Sequence, residues 1–396
     1  MTEPMNDVDE TTKITQEHQT WKESVPQLYE MMIEHTIAWP TLTCQWLPVI
    51  EKSDEYLRQE LLIGTHTNDE EPNQVQILQV DLPLGEAGKA RKPKWQTLKK
   101  MGHEGEVNRA RYQPSDPNKI ATKTRHGDVL IFDRRKNHHE TECDPLLRLK
   151  GHTTEGYGLE WSIHKSTSNH LLSAGFDKII CHWDIGQEGQ VDPIAKYEAH
   201  TDCVEDISWN AKDPFIFASV ADDKKLMIWD TRQPTKPMQN IQAHKAEINS
   251  VAFNWRQDWM IATGSADKTI GLFDIRKLDT KLHSFELHEG EVTQVVWNPK
   301  EPAVLASAGL DRRINIWDLR HIGEEQTAED MEDGPPELLF MHSGHTNRIS
   351  DFSWDPMEQW VIASAGEDNI IQLWEMTKDI YANNDISQEP SATELE

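Results

Sequence analysis

The sequence predicts an all-β fold, a seven-bladed WD-repeat β-propeller with an N-terminal α-helix and a short C-terminal helix, and three columns of residues carry that prediction. Strand-like endings recur as LQVD (to Asp81), LIFD (Asp133), CHWD (Asp184), MIWD (Asp230), GLFD (Asp274), NIWD (Asp318) and QLWE (Glu375). An aromatic that closes an earlier strand precedes each, at Trp46, Tyr112, Trp161, Trp209, Phe253, Trp297 and Trp354. Six of these seven units carry a His ahead of that strand, at His103, His152, His200, His244, His288 and His345. A period of about 40–45 residues ending in Trp-Asp is the signature of propeller blades.

Within the units, runs such as VEDISW, FIFASVA and KLMIWD are alternately or continuously apolar and are broken by Asp/Gly/Lys turns, the pattern of short strands. Four-stranded blades of this kind pack radially and close a ring, which removes free sheet edges. Five units place an Asp six residues before the closing aromatic (Asp177, Asp223, Asp267, Asp311, Asp368), whereas the unit ending at Phe132 has His126 there. Four residues before that position stands a hydroxyl, at Thr122, Ser173, Ser219, Thr263, Ser307 and Ser364. A His, a hydroxyl, an Asp in a tight turn and a Trp are expected to form one buried hydrogen-bonded chain, because buried polar groups need partners. Repetition in nearly every blade marks these His and Asp residues as structural and not as catalytic dyads.

Segments that break a period usually carry the specific function. Residues 1–14 are an acidic N-terminus expected to be disordered, and residues 15–35 read as a helix packing on the propeller. Trp21, Val25, Leu28 and Met32 form its apolar stripe, while Ser24 and Gln27 fit a capping box and Pro26 a first turn, so a restart is expected there. The propeller is expected over 36–376, with a basic Pro/Gly/Lys-rich loop at 83–100. The GEAGKA segment of that loop lacks the Ser/Thr and the strand-to-helix setting of a phosphate loop. Residues 323–340 are an acidic Pro-Pro loop in which Glu324, Glu325, Glu329, Asp330, Glu332 and Asp333 stand without a base before the chain turns apolar. Acid beside apolar groups suits a basic amphipathic helix. A short helix over 377–384 and an acidic tail over 385–396, expected to be disordered, end the sequence.

Composition narrows the function class. A hydrophobic fraction of 37% with 15 Trp allows a sizeable core, and 27% charged residues a wet surface. No apolar run approaches the roughly 18 residues of a membrane span, and MTEPMNDVDE is acidic where a secretory signal is basic and then apolar. Cys44, Cys143, Cys181 and Cys203 lie apart with no CxxC pair, so neither a disulfide framework nor zinc is expected. A formal net charge of −28 repels nucleic-acid phosphates and draws basic proteins. The expectation is therefore a binding scaffold with no catalytic residues, no cofactor, no metal, no direct nucleic-acid ligand and no membrane.

The strings WPTLTCQWLP, LLIGTHT, GHEGEVNRARY, ATKT, EGYGLEW, EDGPPELLFMH and SAGEDNIIQLW resemble the histone-binding WD-repeat family over most of the chain, from about Trp21 to Tyr381. That family includes the retinoblastoma-binding proteins, the small subunit of chromatin assembly factor one and the accessory subunit of the type-B histone acetyltransferase. The resemblance implies a groove between the N-terminal helix and the acidic loop that holds the first helix of histone H4. Its apolar wall would be Leu28, Met32, Phe340, Met341 and Ile380, and its carboxylates Glu329, Asp330 and Asp333. Gln27 stands where relatives have an aromatic. A second implied surface is one face of the propeller, which in relatives takes the histone H3 tail or basic partner peptides.

Counting back from the blade aromatics, loop positions six and four before them point at the channel and supply Glu106, Asn108, Glu155, Tyr157, Glu205, Glu247, Asn249, Glu291 and Arg348, with Glu367 from the last blade's turn joining them. Such a ring suits an inserted Arg or Lys. Thr293 replaces an aromatic that the resemblance leads one to expect. The implied partners are histones H4 and H3 and subunits of acetyltransferase, deacetylase, chromatin-assembly, remodelling or Polycomb-type complexes, in the nucleus and also the cytoplasm. Two alternatives are a cullin ubiquitin-ligase substrate receptor, from the boxes WDTR, FDIR and WDLR, and a ribosome-assembly propeller.

Overall fold

A computed structural model describes residues 6–53, 55–83, 93–186, 192–328 and 330–382. Its strands form seven antiparallel four-stranded sheets, a seven-bladed propeller. Six blades are consecutive, over residues 44–102, 107–149, 159–197, 204–242, 248–285 and 292–342. The seventh takes three strands from residues 349–376 and its outer strand from the N-terminal region. That strand, β1 (Tyr29–Thr36), pairs with Ile370–Met376, Tyr29 opposite Met376 and Thr36 opposite Ile370. Sequence-distant segments thus share one blade, and the inner strand Cys44–Lys52 packs on Ile349–Trp354 to complete the ring.

The core lies between blades. Trp183, Trp229, Trp317 and Trp374, each at the end of a third strand, are almost fully buried. Packing on both faces is why strands such as Ile216–Ala221 are buried at every position and read as continuous apolar runs. In the fourth blade Trp229 Nε1 donates to Ser219 Oγ at 2.9 Å, Ser219 Oγ lies 2.7 Å from His200 Nε2, and His200 Nδ1 reaches the Asp223 carboxylate at 3.0 Å. Blades three, six and seven repeat this chain through Ser173, Ser307 and Ser364, and blade five does so without the Trp. Burial opposes ionisation of Asp223, but hydrogen bonds from His200 and the Thr201 amide win and hold its pKa below the ordinary range. The residue after each turn Asp takes a left-handed conformation: Lys178, Lys224, Lys268, Arg312 and Asn369 have φ between 61° and 72°.

Blade two departs from the pattern. His103 Nε2 meets Thr122 Oγ1 at 2.9 Å, but its Nδ1 turns to the Gly105 carbonyl at 3.0 Å, so His126 does not replace the missing Asp. Gly127 makes the turn at φ 97°, where a Cβ would lie 2.5 Å from the Thr154 carbonyl oxygen. Beneath it Lys123 is fully buried, its ammonium donating to the Gly127 carbonyl at 3.3 Å. Burial pulls the Lys123 pKa down to about 8. Between about 8 and the ordinary value of 10.5 the unfolded chain holds a proton that the folded one does not. Wild-type stability should therefore rise with pH across that window relative to Lys123→Met, by at most about 1.4 kcal/mol per pH unit. Urea titrations of both proteins between about pH 7.5 and about pH 10 would show it, and parallel pH profiles would refute it.

Three expected boundaries are corrected. The N-terminal helix, α1, runs Asn6–Leu28 and not over 15–35, so residues 6–14, expected to be disordered, are helical. Pro26 lies inside its last turn instead of restarting it. Proline removes an intrahelical donor, and the open edge of Ile370–Met376 then captures the following residues as a strand, so Met32 belongs to β1. Of the expected basic loop, residues 94–100 belong to the outer strand Lys94–Gly102 of the first blade and residues 84–92 lie outside the described residues. Of the acidic loop, residues 338–340 belong to the strand Leu338–His342. The C-terminal helix, α2, is Lys378–Tyr381, and the tail lies outside the described residues. Among the described residues no helix is long and apolar enough to cross a membrane.

Candidate functional site

Two surfaces gather the candidate residues. The first is a corner built by α1, β1, α2 and the outer strand of the sixth blade. Trp21, Tyr29, Phe340, Trp374 and Met376 form its buried floor, against which Val25, Met32, Leu339, Ile380 and Tyr381 pack half-exposed. The Thr377 amide donates to the Leu28 carbonyl at 2.9 Å, tying the start of α2 to the end of α1. Leu28, 38% exposed, and Met341 line one cleft of about 570 Å³ with Trp21, Thr20 and Ser24. Phe340 is only 7% exposed, so it supports this wall more than it presents one.

The acidic loop leaves the same blade. Gln326 Nε2 donates to the Gly334 carbonyl at 3.1 Å and the Leu338 amide to the Pro335 carbonyl at 2.9 Å, folding the loop back on itself. Asp330 lies in the short 3-10 turn Asp330–Glu332, Asp333 is exposed, and Glu329 lies outside the described residues. Glu337 is withdrawn, buried and bonded to His283 at 2.8 Å. Met331, 63% exposed between acids, adds an apolar group that counting charges did not single out. Exposed carboxylates beside an apolar cleft can pair with cationic side chains while the cleft takes an aliphatic face.

The second surface lies at the channel mouth. Asn108 Nδ2 donates to Glu155 at 3.2 Å, and half-buried Tyr157 tilts against Phe176 with ring centroids 5.9 Å apart. Burial first, then the charges of Glu155 and Glu205, raise the Tyr157 pKa. Burial and the nearby Asp222 and Asp206 push Glu205 up to about 8. Asp222 is raised in turn by burial, Asp202 and Glu247. Mutual influence therefore joins Glu106, Glu155, Tyr157, Glu205, Asp222 and Glu247 in one acidic arc over blades two to five. Acids that repel one another while losing water are stabilised by an incoming cation.

Other expected members are engaged within the protein. Glu106 pairs with Arg125 at 3.2 Å, which also holds Asp69 at 2.8 Å. Glu367 pairs with Arg348 at 2.7 Å, and Asn249 donates to the Val292 carbonyl at 2.9 Å. Glu291 is exposed, while Thr293 Oγ1 donates to the Ala308 carbonyl at 3.2 Å. Asp222, Phe176 and Arg125 belong to this neighbourhood yet sit in turns between strands, outside the columns that the repeat defines. Among the described residues Asp202, Cys203 and Asp222 converge within 4.8 Å, but burial and the adjacent carboxylates raise the Cys203 thiol pKa, against the thiolate that a metal ligand requires.

The Asp-x-Arg boxes are local clamps. Arg232, Arg276 and Arg320 reach back to Asp230, Asp274 and Asp318 at 2.7, 2.6 and 2.6 Å, and the Arg320 side chain is only 11% exposed.

A family model for the histone-binding protein RBBP4, or the equivalent component of the CAF1 complex, matches residues 16–84, which span most of α1, β1 and three strands of the first blade. The "WD domain, G-beta repeat" model matches residues 191–230, 235–274, 279–318 and 336–375. With the first match on the helix that walls the corner cleft, and the second on four blades of the ring, the chain belongs to the histone-binding WD-repeat family.

Proposed function

We propose that this protein is a non-catalytic histone-binding subunit that presents H3–H4 to enzymes or assembly factors in the nucleus, so that it contributes to rate by positioning substrate. Its partners are subunits of acetyltransferase, deacetylase, chromatin-assembly, remodelling or Polycomb-type complexes. The observation that carries the reading is the corner cleft: half-exposed Leu28, Met32, Met341 and Ile380 beside a loop with exposed Asp333 and Glu332, on the segment where α1 matches the histone-binding family model. A basic amphipathic helix, the first helix of histone H4, satisfies both halves. The acidic arc at the channel mouth receives a basic peptide or the histone H3 tail, its cationic side chain meeting Glu205 and Glu247 while Tyr157 flanks it.

Binding of a histone H4 first-helix peptide tests the groove. Wild type should bind with micromolar or better affinity, and Asp330→Ala/Asp333→Ala should weaken it by about tenfold or more, since each charge-assisted hydrogen bond contributes roughly 1.5–3 kcal/mol. The loss should shrink at high salt. No binding by wild type would remove the groove reading.

A further inference from the structure

Beneath the corner cleft a single file of buried hydrogen bonds crosses four elements. Trp21 Nε1 on α1 lies 2.9 Å from the Tyr29 hydroxyl on β1, which lies 2.8 Å from His342 Nδ1 on the sixth blade. His342 Nε2 then meets Gln372 Oε1 of the seventh blade at 2.8 Å. Gln372 Nε2 donates to Glu34 of β1 at 3.1 Å and to the Gly344 carbonyl at 3.0 Å.

The proton positions follow from the ends inward. Gln372 spends its amide hydrogens on Glu34 and Gly344, so its oxygen accepts from His342 Nε2–H. His342 Nδ1 therefore carries a lone pair, and the Tyr29 hydroxyl must donate to it. The phenolic oxygen is left to accept from Trp21, whose indole can only donate. Burial keeps His342 far below its ordinary pKa, which preserves this neutral tautomer.

The file is wedged among rings that form the cleft's floor. His342 stacks on Trp374 with centroids 4.3 Å apart, and Tyr29 meets Phe340 edge-on at 5.3 Å. Phe340 precedes His342 by two residues on the same strand, so both side chains leave it on one face. Gly344 leaves room for the file: a Cβ there would lie 2.5 Å from Gln372 Oε1 and 2.7 Å from Trp21 Cζ2.

We propose that Tyr29 is a positioning residue of the histone-helix groove, its one hydroxyl serving as both acceptor and donor to lock α1 against the strand that carries Phe340 and Met341. This rests on the groove reading above. The file reaches both walls of the cleft, so its integrity sets their separation. Tyr29→Phe removes the one atom that both neighbours share, leaving Trp21 Nε1 and His342 Nδ1 unpaired without opening a large cavity. Gly344→Ala strains the file from the opposite wall.

The test compares full-length wild type, Tyr29→Phe, Gly344→Ala and a control, Ser219→Ala, which places a similar buried defect in the fourth blade. Affinity for the histone H4 first-helix peptide and amide hydrogen exchange of α1 without peptide are both read. Expected are about tenfold weaker binding and faster α1 exchange in Tyr29→Phe and Gly344→Ala, with both readouts unchanged in Ser219→Ala. Wild-type behaviour in Tyr29→Phe, or an equal loss of affinity in Ser219→Ala, would overturn the proposal. If wild type itself fails to bind, the groove reading fails. The lock is then judged on exchange alone, faster α1 exchange in Tyr29→Phe upholding it and unchanged exchange overturning it.

Discussion

Replacing Asp351 by Ala should cost about 3–5 kcal/mol of stability, the largest loss expected of any single substitution considered for this ring. Asp351 is fully buried on the inner strand of the seventh blade. Its carboxylate accepts from the Cys44 amide at 2.8 Å, from Arg111 at 3.0 Å, from Gln294 at 2.7 Å and, more loosely, from Arg109 at 3.4 Å. Blades one, two and six thus meet one anion of blade seven at the seam where the ring closes. Removing it strands two arginines that are themselves only 16% and 17% exposed. Burial opposes ionisation of Asp351, but Arg111 and Arg109 overcome it and hold its pKa below the ordinary carboxylate value. A depressed folded pKa means that the contribution is fully present above about pH 4 and is lost as pH falls through the folded value. Urea denaturation at about pH 7 should show the full loss in Asp351→Ala, and a loss under about 1 kcal/mol would show that the arginines find other acceptors.

The second large effect is expected at the hydroxyl inside each blade. Ser219→Ala should cost about 2–4 kcal/mol, because it leaves both the Trp229 indole N–H and the His200 Nε2 lone pair unsatisfied in a buried site. Thr122→Ala in blade two offers an internal comparison. There the closing aromatic is Phe132, with no polar hydrogen, so only His103 loses a partner and the hydrogen-bond part of the loss should be about half. Side-by-side urea titrations would measure the ratio. Equal losses would mean that the indole contact adds nothing and that the column persists for its packing.

The blade count, the turn positions and the structural role of the His-Asp columns were legible in the sequence because they depend on near-neighbour physics repeated seven times: alternation along strands, an Asp-led turn, a hydroxyl four residues before it. The acidic loop and the apolar stripe of the N-terminal helix were legible as interruptions of that period. Tertiary structure alone decided what the interruptions became. Residues 29–35 carry the tail of a helical stripe, yet they are a strand because the seventh blade would otherwise expose an unpaired edge, and satisfying that edge outweighs local preference. Counting loop positions found Glu106, Glu205, Glu247 and Glu367 alike, whereas Arg125 and Arg348 engage the first and last and leave the middle two without such a cation. The bonds joining Trp21, Tyr29, His342 and Gln372 span separations of up to 313 residues, and no local pattern encodes a contact that exists only once the ring has closed.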